Sequence, residues 1–198
     1  MADAARNGAF ETEAARIGAF DGLATFGKKG KFSIEPLEFK SRFNFRGSEA
    51  AAHDLGLAFG AVLSRVPMRA YESTSGRAAL WLGPDEWQLI GPTSDHQAIR
   101  DTVARTVIEP HSLVDISHRN TGLIVTGSKV EPVLNAGNPL DLTASAFPVG
   151  MCTRTLLGKC DIVLWRKRTD VFHIECFRSF LPYVHAFLEE AAREYILG

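Results

Sequence analysis

From about residue 48 onward, apolar and polar positions fall into regular periods. Ser48 is a good N-cap, and the residues behind it predict a helix through about Phe59. Strands are predicted at about 69–74 and 77–82. Gly83-Pro84-Asp85-Glu86 then supplies turn chemistry, with the proline presetting φ, and Glu86 to Ile90 returns as a strand. Thr93 or Ser94 can cap a helix whose apolar face is Ile99, Val103 and Val107. Strands at about 111–117 and 120–126 come next, then a short helix at about 129–136 that Gly137 stops. Pro139 to Gly150 reads as a loop. Three strands follow at about 151–157, 161–167 and 171–177. Ser179 caps a last helix with the stripe Phe180, Val184, Phe187, Leu188, Ala191 and Tyr195.

From residue 86 to 157 the order is strand, helix, strand, strand, helix, strand. That is the ferredoxin-like unit, so the expected class is α+β, with antiparallel sheets and helices on one face. Residues 1–47 read differently, as an N-terminal arm ahead of an α+β domain at 48–198. Seven of the 13 phenylalanines fall in this arm, among them Phe10, Phe20 and Phe26. Glycines and the basic cluster Lys28, Lys29 and Lys31 lie between them, and no period holds for long. Spaced aromatics on an arm want a surface, either their own domain or a partner.

Composition narrows the function classes. Lys plus Arg is 22 and Asp plus Glu is 23, which leaves no electrostatic footprint for nucleic acid or an anionic membrane surface. No apolar run approaches the roughly 20 residues of a membrane helix. The N-terminus has no apolar stretch of the signal-peptide kind. Cys152, Cys160 and Cys176 form no CxxC pair, so a cytoplasmic protein with reduced thiols is expected.

Four groups of residues invite a chemical reading. Gly22 to Lys28 imitates a phosphate-binding loop, but Lys29 stands where magnesium needs a hydroxyl, and no buried strand precedes it. Asp115, Ser117 and His118 suggest a hydrolase. On a strand, however, Asp115 and Ser117 share a face and His118 does not, so a local turn is the better reading. His173 and Glu175 share one strand face, while Cys176 joins Phe172 and Ile174 on the core side. No pair of the six histidines has metal-ligand spacing. Arg154, Lys159, Arg166, Lys167 and Arg168 form a basic cluster that reads as a solvated strand face. Its alternative is a seat for a carboxylate-bearing ligand or an acidic partner. Trp81, Trp87 and Trp165 read as core.

Several short pieces, in order, resemble one family. They are Leu82-Gly83-Pro84-Asp85-Glu86-Trp87, Asp115-Ile116-Ser117-His118-Arg119, Pro139-Leu140-Asp141-Leu142, Phe147-Pro148-Val149-Gly150, Arg154 to Lys159, and Arg178-Ser179-Phe180. In this the chain resembles the gamma subunits of bacterial heterotetrameric sarcosine oxidases. The resemblance implies a fold similar to the folate-binding aminomethyltransferase fold. It implies membership of an enzyme that oxidises sarcosine with oxygen to glycine and hydrogen peroxide, passing the one-carbon unit to tetrahydrofolate. It places FAD, FMN, NAD, tetrahydrofolate and zinc in the alpha, beta and delta subunits, and no cofactor or catalytic residue in this chain. The expected role is therefore a non-catalytic one in assembly. The partner-contact candidates are Phe10, Phe20, Phe26, His118, Arg119, Arg154 and Lys159. The alternative is a stand-alone binding protein for folate or another one-carbon carrier.

Overall fold

Two antiparallel sheets stack face to face, and each carries helices on its outer side. The computed structural model describes Leu23 and Thr25–Leu197. The strands are β1 (Phe26–Lys28), β2 (Phe32–Pro36), β3 (Ser41–Gly47), β4 (Ala70–Glu72), β5 (Ala78–Gly83), β6 (Glu86–Gly91), β7 (His111–Asp115), β8 (Asn120–Thr126), β9 (Cys152–Leu157), β10 (Cys160–Arg168) and β11 (Val171–Phe177). The helices are α1 (Glu49–Phe59), α2 (His96–Thr106), α3 (Val130–Asn135) and α4 (Leu181–Leu197).

One sheet runs β4-β5-β6-β3-β7 and the other β9-β10-β11-β8-β2-β1. In these orders the halves correspond. The series β3-α1-β4-β5-β6-α2-β7 is repeated as β8-α3-β9-β10-β11-α4, and the slot that β7 fills beside β3 is filled beside β8 by β2. The second half ends in a helix, so its last strand comes from the start of the chain. Each sheet is thus a ferredoxin-like unit, the first with one extra edge strand (β4) and the second, circularly permuted, with one at each edge (β9 and β1).

Two expectations need correction. The series read across 86–157 straddles both sheets: β6 and β7 belong to one, β8 and β9 to the other. The complete unit begins instead at β3, inside the expected arm. The boundary at residue 47 falls accordingly within folded structure, because β2 pairs with β8 (Ser33 opposite Thr126) and β3 with both β6 and β7. The reason is packing. Phe32, Ile34, Phe43 and Phe45 are fully buried, and β2 covers what is otherwise an open edge of β8.

The helices form where the caps and stripes put them. Ser48 Oγ accepts from Ala51 N at 3.2 Å, and Gly60 closes α1 in the left-handed region at φ 80°. Helix α2 buries Ile99 and Val103. It starts one to two residues later than predicted, because Thr93–Asp95 form a 3-10 turn in which Thr93 Oγ1 bonds Phe39 O instead of capping. In α4 the buried stripe is Leu181, Val184, His185, Leu188 and Ala192. Ser179 and Phe180 precede it in a second 3-10 turn, and Phe180 is exposed. One core joins α1 and α2 to Phe43, Phe45, Trp87 and Leu89, and another joins α3 and α4 to Leu123, Leu164, Phe172 and Ile174.

Candidate functional site

Because side chains alternate along a strand, the faces turned away from the helices meet each other. Phe43 and Phe45 take the helix side of β3, which sends Arg42 and Asn44 into the layer between the sheets. Phe172, Ile174 and Cys176 do the same on β11 and send His173 and Glu175 inward. Part of this layer is apolar, with Ala78, Leu80, Ile90, Cys152, Val163 and Trp165. The rest is polar and buried.

Its centre is an ion pair between the sheets. Arg42 Nε donates to Glu175 Oε2 at 2.6 Å and Nη2 to Oε1 at 3.0 Å, with both side chains at most 1% exposed. Gln88 Nε2 donates to Oε2 at 3.1 Å, and His173 Nε2 lies 2.7 Å from Oε1. A carboxylate only accepts, so this contact places the His173 proton on Nε2. Burial pushes the Glu175 carboxyl up, but the Arg42 guanidinium and His173 outweigh it and hold the group below the usual carboxylate range. Gly122 on β8 leaves the necessary room. A Cβ there would stand 2.5 Å from Glu175 Oε1 and 2.9 Å from His173 Nε2.

Further ties surround this pair. Arg154 on β9 grips both oxygens of Glu86 on β6, and that bond, against the opposing effect of burial, lowers the Glu86 pKa. Lys167 Nζ bonds Glu72 at 2.8 Å. Main-chain bonds from Cys152 N to Met68 O (2.9 Å) and from Ala70 N to Gly150 O (2.8 Å) close the same seam. Beside the ion pair lies a cavity of about 400 Å³, lined among others by Asn44, Gln88, Asn120, Arg154, Asp161 and Glu175.

The Asp115–His118 segment is a turn, as its local geometry predicts. Asp115 Oδ1 accepts from Ser117 N at 2.9 Å, and Asp115 Oδ2 lies 2.8 Å from His96 Nε2. Ser117 Oγ accepts from Arg42 N at 2.9 Å and donates to Arg42 O at 3.2 Å. Its hydroxyl pins β3 to this turn. His118 is exposed, with its ring 5.2 Å from Phe39, and Arg119 lies 5.0 Å over the Phe177 ring. Lys159 is exposed at the β9–β10 turn, where its N donates to Tyr183 Oη at 3.1 Å. Phe26 is half-buried and packs against the α3–α4 core. Phe10 and Phe20 lie outside the described residues, as do Gly22 and Ala24 of the Gly22–Lys28 phosphate-loop mimic.

Arg154, Lys159 and Arg168 of the basic cluster are exposed, but Arg166 is not a solvated side chain. Arg166 is 1% exposed: it donates to Leu142 O and Phe147 O at 3.0 Å each and pairs with Glu131, which clamps the 139–150 loop onto β10. With Arg154 held by Glu86 and Lys167 by Glu72, these side chains lend no support to a folate-tail seat. Trp87 and Trp165 are buried, and the Trp87 indole N–H donates to Ser64 O at 2.8 Å. Cys176 is core, as expected. Arg42, Gln88 and Gly122 were missed. The strict alternation Arg42-Phe43-Asn44-Phe45-Arg46 was the signal that could have found β3 and its inward-facing polar side chains.

A family model described as "Sarcosine oxidase, gamma subunit family" matches residues 47–194. This chain belongs to that family. Among curated gamma subunits, the one from Corynebacterium sp. (strain P-1) is 32% identical over 123 residues, which is 62% of this chain and 60% of that protein. The one from Arthrobacter sp is 27% identical over 157 residues, 78% and 76% of the two chains. As a gamma-family fold, the structure superposes with a TM-score of 0.80 on a chain of the heterotetrameric sarcosine oxidase from Corynebacterium sp. U-96 in complex with pyrrole 2-carboxylate. That match covers 91% of this chain and 96% of the other at 23% identity. The likeness to the glycine cleavage system aminomethyltransferase T from Bartonella henselae is one of fold alone: TM-score 0.56 at 11% identity, over 78% of this chain and 44% of that one. The gamma-family fold is thus aminomethyltransferase-like, α+β with two antiparallel sheets.

Proposed function

We propose that this chain is the gamma subunit of a heterotetrameric sarcosine oxidase and acts by docking to the subunits that carry out the chemistry. The assembled enzyme converts sarcosine, oxygen and tetrahydrofolate to glycine, methylenetetrahydrofolate and hydrogen peroxide. FAD, FMN, NAD, tetrahydrofolate and zinc sit, in this reading, in the alpha, beta and delta subunits, and the assembly is cytoplasmic. Family membership over residues 47–194 supports the assignment to the complex.

One structural observation carries the docking role. The groups that look catalytic are engaged within the fold: Glu175 by Arg42, Gln88 and His173, Ser117 by Arg42, and Asp115 by His96 and Ser117. Rings, by contrast, face outward. Phe39, Phe180 and Tyr183 are 45%, 44% and 38% exposed, with His118 beside Phe39 and Lys159 beside Tyr183. Exposed aromatics flanked by basic groups are the usual anchors of a protein interface. On this reading His118 and Lys159 rim the contact, and Arg154, exposed although tied to Glu86, adds to it. The N-terminal segment with Phe10 and Phe20 adds a second strip of contact.

Co-expression with the neighbouring subunits followed by size exclusion tests this. The chain is expected to co-elute with flavin-bearing subunits, and a Phe180→Asp/Tyr183→Asp variant to separate from them while keeping its own circular dichroism. A folded monomer with no affinity for those subunits defeats the proposal.

A further inference from the structure

We propose that the cavity between the sheets is a binding site for a small zwitterion of amino-acid to dipeptide size. This inference rests on the cavity alone and not on assembly into a complex. Its volume of about 400 Å³ lies at the lower end of the range for ligand pockets, roughly 300–1,000 Å³. It also sits where two structural units meet, a preferred place for such sites.

The mouth of the cavity has a prepared cation. Arg119 follows the buried Ser117, and Asn120 beside it is also buried. The Arg119 Nε donates to Asn120 Oδ1 at 3.0 Å, and its guanidinium lies 5.0 Å over the Phe177 ring. The group is therefore held by one edge and one face. Among the described residues no carboxylate pairs with it, so the terminal nitrogens offer the fork that binds a carboxylate bidentately.

Across Phe177 the cavity offers an acceptor. Asp161 lines it, one step beyond the pair Ile162–Cys176, and its side chain shares the face of Val163. Among the described residues it too has no ion-pair partner. Asn44, which also lines the cavity, is turned to the protein: its Nδ2 donates to Glu86 Oε1 at 2.9 Å. The other charges lining the cavity, Arg154 and Glu175, are neutralised within the protein. What is left is one cation, Arg119, and one carboxylate, Asp161, on either side of Phe177. A plain carboxylate satisfies the first and is repelled by the second. A molecule with a carboxylate and N–H donors satisfies both.

Amide NMR titration of the full chain with glycine, β-alanine and glycylglycine, against acetate and methylamine as controls, decides the matter. The zwitterions are expected to give saturable shifts clustered at Asn44, Asn120, Asp161 and Phe177, with the controls at least tenfold weaker. Arg119→Gln and Asp161→Asn, both at exposed positions, should each weaken binding tenfold or more while leaving the spectrum elsewhere unchanged. Absence of saturable shifts at the cavity with every zwitterion overturns the proposal. So does equal binding of acetate, or wild-type binding by both variants.

Discussion

Removing either end of the Arg42–Glu175 pair should destabilise the whole molecule. Both side chains are at most 1% exposed, and their two bonds of 2.6 and 3.0 Å run between the sheets. Glu175→Gln or Arg42→Met leaves the other group without its compensating charge, at a cost of about 3–5 kcal/mol. For a chain of this length each kcal/mol moves the melting temperature by about 2–4 °C, so each single variant should melt roughly 6–20 °C lower. The double variant Arg42→Met/Glu175→Leu should lose much less than the sum, because no charge is left buried alone. The pair also sets an acid limit. A carboxyl whose folded pKa is depressed contributes its full stabilisation above the unfolded value, about 4.3 for Glu, and loses it as pH falls through the folded one. Melting followed by circular dichroism from pH 7 downward checks both points. Glu175→Gln should flatten the acid side of the profile. Single variants melting within about 2 °C of wild type, or strictly additive losses in the cycle, would refute the reasoning.

Gly122→Ala places a methyl 2.5 Å from Glu175 Oε1. Overpacking of this kind should lower stability by about 1–3 kcal/mol in urea unfolding. Burial pushes the Cys152 and Cys176 thiols up to about 12, so neither should react with a thiol reagent at pH 8 until the protein unfolds. Deleting residues 1–36 strips β1 and β2 from the second sheet and bares the edge of β8. The shortened chain should aggregate on gel filtration, whereas deletion of residues 1–22 should not produce that loss.

The legible parts of the sequence were those whose signals are local. Ser48 caps α1, Gly83 to Glu86 makes the β5–β6 turn, and the three strands of the 151–177 hairpins are short apolar-rich runs divided by turns at Gly158 and Asp170. The Asp115–Ser117 turn was also readable, because the bond that defines it, Ser117 N to Asp115 Oδ1, joins residues two positions apart. The site itself was not. Arg42 and Glu175 are 133 positions apart, and no spacing rule connects them. Arg166 looked solvated because arginine on a strand usually is, whereas here a loop 20 residues upstream folds over it and supplies carbonyls. Strand β3 was hidden for a related reason. Its polar face points into a second sheet instead of into water, and its Phe pairs were grouped with the aperiodic aromatics before them.

The loan of β2 to the second sheet has a consequence for biosynthesis. Ser33 cannot meet Thr126 until roughly 90 further residues have been made. At translation rates of about 5–20 residues per second, an apolar strand bearing Phe32 and Ile34 waits about 5–18 s for its place. Its closure is a long-range step that no shorter contact can replace. The nascent chain therefore carries an unpaired apolar strand throughout that interval.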